Sequence, residues 1–143
     1  MTTPNDPTIN AWVNLARSYN SVFSAVESAL KKAGFPSLSW YDVLLELDRA
    51  NPDGLRPFEL QQKLLLPQYG ISRLISSIEK EGYLQRVFCI NDGRGQYLHI
   101  TQSGKQLRKQ MWRIYGNVLQ ETIGEKLATK QADQLSVLLE HIE

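Results

Sequence analysis

One cysteine, Cys89, is all that 143 residues contain. A single thiol excludes an intramolecular disulfide and fits the reducing cytoplasm, which is the expected location. His99 and His141 are too few and too widely separated to form a metal site with Cys89 by spacing, so neither metal nor cofactor is expected. Long apolar runs are missing as well. None approaches the ~18 residues of a membrane span, and no membrane partner is expected. The opening "MTTPNDPTIN" has no basic segment followed by an apolar one, so no signal peptide is expected. Glycine-rich phosphate loops, Ser/His/Asp arrangements and paired carboxylates are absent too, with Asp42, Glu46 and Asp48 read as one polar helix face. No nucleophile with a partner can be assembled, and an enzyme is not expected.

What is present begins with enough apolar sequence for a core: 42% of residues are hydrophobic and 22% charged. The net charge of +1 conceals an uneven distribution. Residues 1–55 carry −2, residues 56–109 carry +5 and residues 110–143 carry −2. A basic middle between acidic ends points to a surface that faces a polyanion, against the plainer reading of scattered surface charge.

Hydrophobic periodicity gives the order of elements. From Ile9 to Lys32, apolar residues recur at three and four (Ile9, Trp12, Ala16, Tyr19, Phe23, Val26, Leu30), which predicts one long helix with Thr8 as its cap. Gly34 and Pro36 end it. Ser39 and Asp42 form a variant capping box for a second helix, and "NPDG" at Asn51–Gly54 is a turn. Two short helices follow, each with proline in its first turn, at Pro57 and Pro67. Gly82 closes the second, and the pair reads as a helix-turn-helix.

The period then switches to two. Leu84–Ile90 and Gln96–Thr101 are strand-like and flank "NDGRG", which predicts a hairpin with Cys89 as a buried small hydrophobe. Thr101 caps another long helix running through Leu107, Met111, Ile114, Val118 and Ile123, and a final helix starts near Lys130. The fold expected is mostly α with a small β-hairpin wing: a winged helix-turn-helix with N- and C-terminal dimerisation helices. Residues 1–36 form the N-terminal dimerisation helix, 37–101 the DNA-binding domain and 102–143 the C-terminal dimerisation helices. The terminal helices have more apolar face than one small domain buries, which favours a homodimer joined through both chain ends.

Three stretches in this order resemble the MarR family of transcription regulators. "DGRG" at Asp92–Gly95 is similar to its wing signature of Asp, any residue, Arg, Gly. "ISRLISSIEKEGYLQR" (Ile71–Arg86) resembles its recognition helix and exit, and "HITQSGKQL" (His99–Leu107) its strand-to-helix junction, with Thr101 and Gly104 in the expected places. Tyr69 and Gly70 stand where many members have small hydroxyl residues. The cysteine that the peroxide-sensing subgroup carries in its first helix is not in this chain.

A recognition helix meets base edges with its N-terminal residues, here Gln68, Tyr69, Ser72 and Arg73. Gln pairs bidentately with adenine and Arg with guanine, while Ser72 and Ser76 suit phosphate. Arg94 at the wing tip fits an adjacent narrow minor groove, oriented by Asp92. The plainer alternatives are a solvated turn arginine for Arg94 and, for Arg73, an ion pair inside the fold, for example with Glu79 or a partner helix. Arg86, at the wing root, is either a phosphate contact or a structural pair. The resemblance also implies a small aromatic or phenolic ligand where dimerisation helices meet the DNA-binding lobe. Trp12, Tyr19, Phe23, Trp40 and Tyr41 are its candidates, against the alternative that these rings are core and dimer packing. The function expected is a homodimeric repressor that binds a pseudo-palindromic double-stranded DNA site and is released by an aromatic effector. The alternative is a winged-helix module that sequesters another regulator without binding DNA.

Overall fold

In a computed structural model of the protein, which describes residues 2–89 and 95–143, an asparagine side chain starts the first helix. Helix α1 spans Asp6–Lys32; the Asn5 side chain accepts from the Thr8 backbone N–H at 2.9 Å, Pro7 lies in the first turn, and Lys31 and Lys32 face the negative end of the dipole. Thr8 is therefore inside the helix rather than its cap. Helix α2 is Leu38–Arg49, preceded by Ser37, so the Ser39–Asp42 capping box does not form. Instead the Ser39 hydroxyl shares a 2.6 Å hydrogen bond with that of Ser37. Asp42 is not on a polar face either: it is 6% exposed, because the middle of α2 is buried nearly all round, with Tyr41, Val43, Leu44 and Leu47.

Helix α3 is Pro57–Lys63, and the Glu59 carboxylate accepts from the Arg56 N–H at its start. Helix α4 is Ile71–Lys80, four residues later than the proline rule for Pro67 predicts. The reason lies in the intervening turn, where Asp42 holds the backbone of Leu65 and Leu66 and Gly70 takes a left-handed conformation (φ 77°) just before the helix. Strands β1 (Leu84–Phe88) and β2 (Gln96–Ile100) pair antiparallel, from Leu84 opposite Ile100 to Phe88 opposite Gln96. Leu55, immediately after the "NPDG" turn, exchanges two backbone hydrogen bonds with Leu98 and so adds a one-residue third rung to the hairpin. Cys89 is half-buried rather than in the core, and its alternate Val87 is exposed. A two-stranded ribbon has no layer to cover the far half of β1, so alternation there does not produce burial.

Helix α5 is Gln102–Leu119. A π-helical turn, Gln120–Gly124, follows and takes Ile123 off the α5 stripe. Helix α6 is Thr129–Glu140, with the Gln131 side chain accepting from the Ala128 N–H. The chain divides into two compact units, Met1–Ala33 with Ile114–Glu143, and Gly34–Arg113. In the second, Leu44, Leu47, Leu60, Ile75, Ile78, Leu98 and Met111 are fully buried, and Arg108 of α5 pairs with Asp48 of α2 at 2.6 Å. In the first, Val26, Leu30 and Val118 are buried, while Ile9, Trp12 and Tyr19 on α1 and Leu135, Leu138 and Ile142 towards the C-terminus are exposed. No helix among the described residues is long and apolar enough to cross a membrane. The second unit is a winged helix-turn-helix.

Candidate nucleic-acid interface

Helix α4 has two faces of different chemistry. Ile71, Leu74, Ile75 and Ile78 point inward, with Ile75 and Ile78 buried. Ser72, Arg73, Ser76, Ser77 and Lys80 are exposed at the complementary spacing, one row along the opposite side. The outward row contains two cations, three hydroxyls and no carboxylate. Glu79, the acidic residue within α4, is held by Arg86 in a 3.0 Å ion pair.

Arg86, at the wing root, makes three side-chain contacts within the fold. Its Nε donates to Glu79, one terminal nitrogen to Gln96 Oε1 (3.1 Å) and the other to Ser76 Oγ (3.0 Å). One guanidinium thus ties the recognition helix to both strands of the hairpin, and it is engaged within the fold. Arg73 does not pair with Glu79; it is exposed, with no ion-pair partner among the described residues.

The other end of α4 is fixed by backbone chemistry. The Tyr83 N–H donates to the Ile78 carbonyl (3.1 Å) and the Gly82 N–H to that of Glu79 (2.9 Å), the paired bonds of a Schellman motif. The same corner receives the start of α5. The Thr101 hydroxyl donates to the Gly82 carbonyl at 2.7 Å and accepts from the Gly104 N–H at 3.1 Å, as a helix cap. Ser103 also donates to Gly82 O. A Cβ at Gly104 would fall inside the contact radius of the Tyr83 carbonyl oxygen, so only glycine lets α5 approach this closely.

Ahead of α4, the Leu65 and Leu66 N–H groups donate to the two oxygens of Asp42, at 3.1 and 2.9 Å. This carboxylate sets the turn of the helix-turn-helix, and the sequence reading missed it. Arg56, before α3, lies over the Tyr97 ring of β2, 5.1 Å from its centroid.

The expected DNA contacts among the described residues fall into three groups. Ser72, Arg73 and Ser76 share the outward row of α4, whereas Gln68 and Tyr69 lie in the preceding turn rather than on the helix, Gln68 half-buried and Tyr69 99% exposed. Arg86 is behind this row. Asp92 and Arg94 lie outside the described residues. Of the five ring candidates for a ligand, three belong to the first unit: Trp12 is 67% exposed, and Tyr19 stacks on Phe23 with centroids 5.8 Å apart. In the second unit Trp40 meets Tyr83 edge-on and the buried Tyr41 stacks on Trp112, each at 6.2 Å.

Residues 34–95, from the glycine before α2 through the wing signature, match the model of the MarR family. Relatives described as uncharacterized HTH-type transcriptional regulators, from Bacillus cereus among others, are 31% identical over 94 residues. Residues 34–95 thus carry the likeness to the MarR family. The stretch shared with those relatives is 66% of this chain and 60% of their own, so the chain spans less than two thirds of their length. Among solved structures, a MarR family regulator from Streptomyces coelicolor in complex with DNA superposes with a TM-score of 0.89 at 17% identity, over 99% of this chain and 89% of its own. An organohalide-sensing regulator in its 2,4-dichlorophenol-bound form superposes with a TM-score of 0.81 at 18% identity, over 99% and 85%. These likenesses establish the MarR fold along nearly the whole chain.

Proposed function

We propose that this chain acts as a MarR-type regulator: a homodimeric, sequence-specific binder of double-stranded DNA that represses transcription and is released by a small aromatic or phenolic ligand. The observation that carries the reading is the carboxylate-free outward row of α4, with the one acidic residue of that helix neutralised from behind by Arg86. A helix so arranged suits a groove walled by phosphates, with Arg73 placed for a guanine edge and Ser72 and Ser76 for phosphate oxygens. The Streptomyces coelicolor neighbour was solved on DNA, which supports the mode of binding.

The dimer is supported by the exposed apolar side chains on α1 and α6, too many for a monomer to leave in water. Two copies related by a two-fold axis imply half-sites about 10 bp apart. Release by a phenolic compound is supported by the dichlorophenol-bound neighbour and by the ring-rich helices α1 and α2. Such a ligand must favour one arrangement of the two units, since equal affinity for both would shift nothing. A protein with this role works beside the chromosome, in the cytoplasm.

The test is selection of duplexes from a random library by the purified chain, followed by titration at several salt concentrations. Binding that falls with salt at a log–log slope of about −5, that is roughly six phosphates at ~0.9 each, is expected of the dimer. Binding to no duplex, or binding indifferent to salt, would favour the protein-sequestering module instead.

A further inference from the structure

We propose that Tyr69 reads the 5-methyl group of thymine in the major groove, so that each half-site of the DNA contains a thymine that deoxyuridine does not replace. This rests on the DNA-binding reading above and specifies a base that the outward row of α4 leaves undetermined.

Among the six tyrosines, Tyr69 is the exception. Tyr19 stacks on Phe23, Tyr41 on Trp112, Tyr83 meets Trp40, Tyr97 lies beneath Arg56, and Tyr115 has a partner as well. Tyr69 has neither a ring contact nor a hydrogen bond among the described residues, and it is 99% exposed. A ring in that position contributes nothing to the core, yet the backbone on both sides of it is fixed. Upstream, Leu65 and Leu66 are hydrogen-bonded to Asp42. Downstream, the left-handed Gly70 accepts from the Arg73 and Leu74 N–H groups and opens α4. The turn thus holds the ring out in water at the N-terminal end of the recognition helix, on the approach to Ser72 and Arg73.

In helix-turn-helix docking that end of the helix faces base edges. The other groups that tell the bases apart on their major-groove edges are chiefly hydrogen-bond donors and acceptors; the thymine methyl is the largest apolar group there. Leu65, in the same turn, is a second exposed apolar side chain, 73% exposed. Two exposed apolar groups match a methyl-bearing groove floor better than they match a line of phosphates.

The experiment uses the full-length protein and a duplex selected by it. Each thymine in turn is replaced by deoxyuridine, which removes only the methyl. At one position per half-site the replacement should weaken binding about fourfold, the factor for a single buried methyl. That difference should vanish for Tyr69→Ala and persist for Tyr69→Phe and for Arg73→Ala, whatever their overall affinity. A parent protein indifferent to every replacement, or a Tyr69→Ala variant that still discriminates, would overturn the assignment. Weakened binding by Tyr69→Phe with no thymine effect would move the hydroxyl to a phosphate, and would overturn it too. Failure to select any duplex is a different result, which removes the DNA-binding reading first. Tyr69 packs on nothing, so its variants should unfold with the parent.

Discussion

Replacing Asp42 with asparagine exchanges one oxygen for an NH2 group and should destabilise the protein by about 1–3 kcal/mol. The carboxylate is 6% exposed, and its two oxygens accept separate backbone N–H groups, from Leu65 and Leu66. An amide offers one acceptor oxygen and turns an NH2 group towards the second N–H, so one bond is lost and two donors are set face to face. The Leu66 N–H is buried, and leaving it unpaired costs about 1–3 kcal/mol; the Leu65 bond is part-exposed, and water recovers some of its ~1 kcal/mol. With one of the two bonds lost, the expected cost is about 1–3 kcal/mol, roughly 3–12 °C in Tm for a chain of this length. Urea unfolding followed by circular dichroism measures it, and amide exchange should show the Leu65 and Leu66 protons losing protection first. Asp42→Ala, which removes both acceptors, should cost more than Asp42→Asn. An asparagine variant within ~0.5 kcal/mol of the parent would refute the account, because it would mean that the turn needs the shape of the residue and not its two acceptors.

Other substitutions separate backbone conformation, close approach and coupling. Gly70→Ala meets open space but a left-handed φ of 77°, so it should cost only about 1 kcal/mol in thermal unfolding. Gly104→Ala has the reverse problem, a Cβ driven into the Tyr83 carbonyl, and should cost ~2 kcal/mol or more in the same assay. Leu47→Ala empties a fully buried site in α2 and should cost about 2–5 kcal/mol by denaturant titration. Arg86→Met keeps the stem but loses three donors; with Glu79 and Ser76 part-exposed it should cost only ~1–2 kcal/mol of stability. Its affinity for a selected duplex should nevertheless fall tenfold or more, measured by fluorescence anisotropy, since Glu79 is then left unpaired beside the binding row.

The elements themselves were legible because each is a long run of one period. Ile71, Leu74, Ile75 and Ile78 give α4 its inner face in the sequence and in the structure alike. The alternation from Leu84 and the composition of Gln96–Thr101 give the hairpin. What was not legible depends on partners far away in the chain. Asp42 reads as a polar residue on a helix until Leu65 and Leu66, more than twenty residues on, arrive at its oxygens. For the same reason Pro67 looks like a helix start: local rules see a proline before an apolar stripe, and not the anchored turn that delays α4 to Ile71. The Leu55–Leu98 rung has no local signal at all, because a single residue carries no period. The partners of Arg86 were not legible either, since Ser76, Glu79 and Gln96 meet it from two different elements.

These long-range contacts converge on one task, the placement of α4. Its start is set by Asp42 through the turn, its end by the Gly82–Tyr83 corner shared with Thr101 and Gly104, and its side by Arg86. None of these groups belongs to the outward row of Ser72, Arg73, Ser76, Ser77 and Lys80 except Ser76, whose hydroxyl is already an acceptor for Arg86. Ser76 is therefore oriented by the fold, with its own proton still available to an acceptor, while Ser72 and Ser77 have no such constraint among the described residues. A phosphate contact made by Ser76 would lose less side-chain entropy than one made by its neighbours. Ser76→Ala should then weaken DNA binding more than Ser77→Ala does, and the gap between the two should shrink in an Arg86→Met background. Equal effects of the two alanines in the parent would show that Arg86 steadies the wing alone and does not prepare the helix surface.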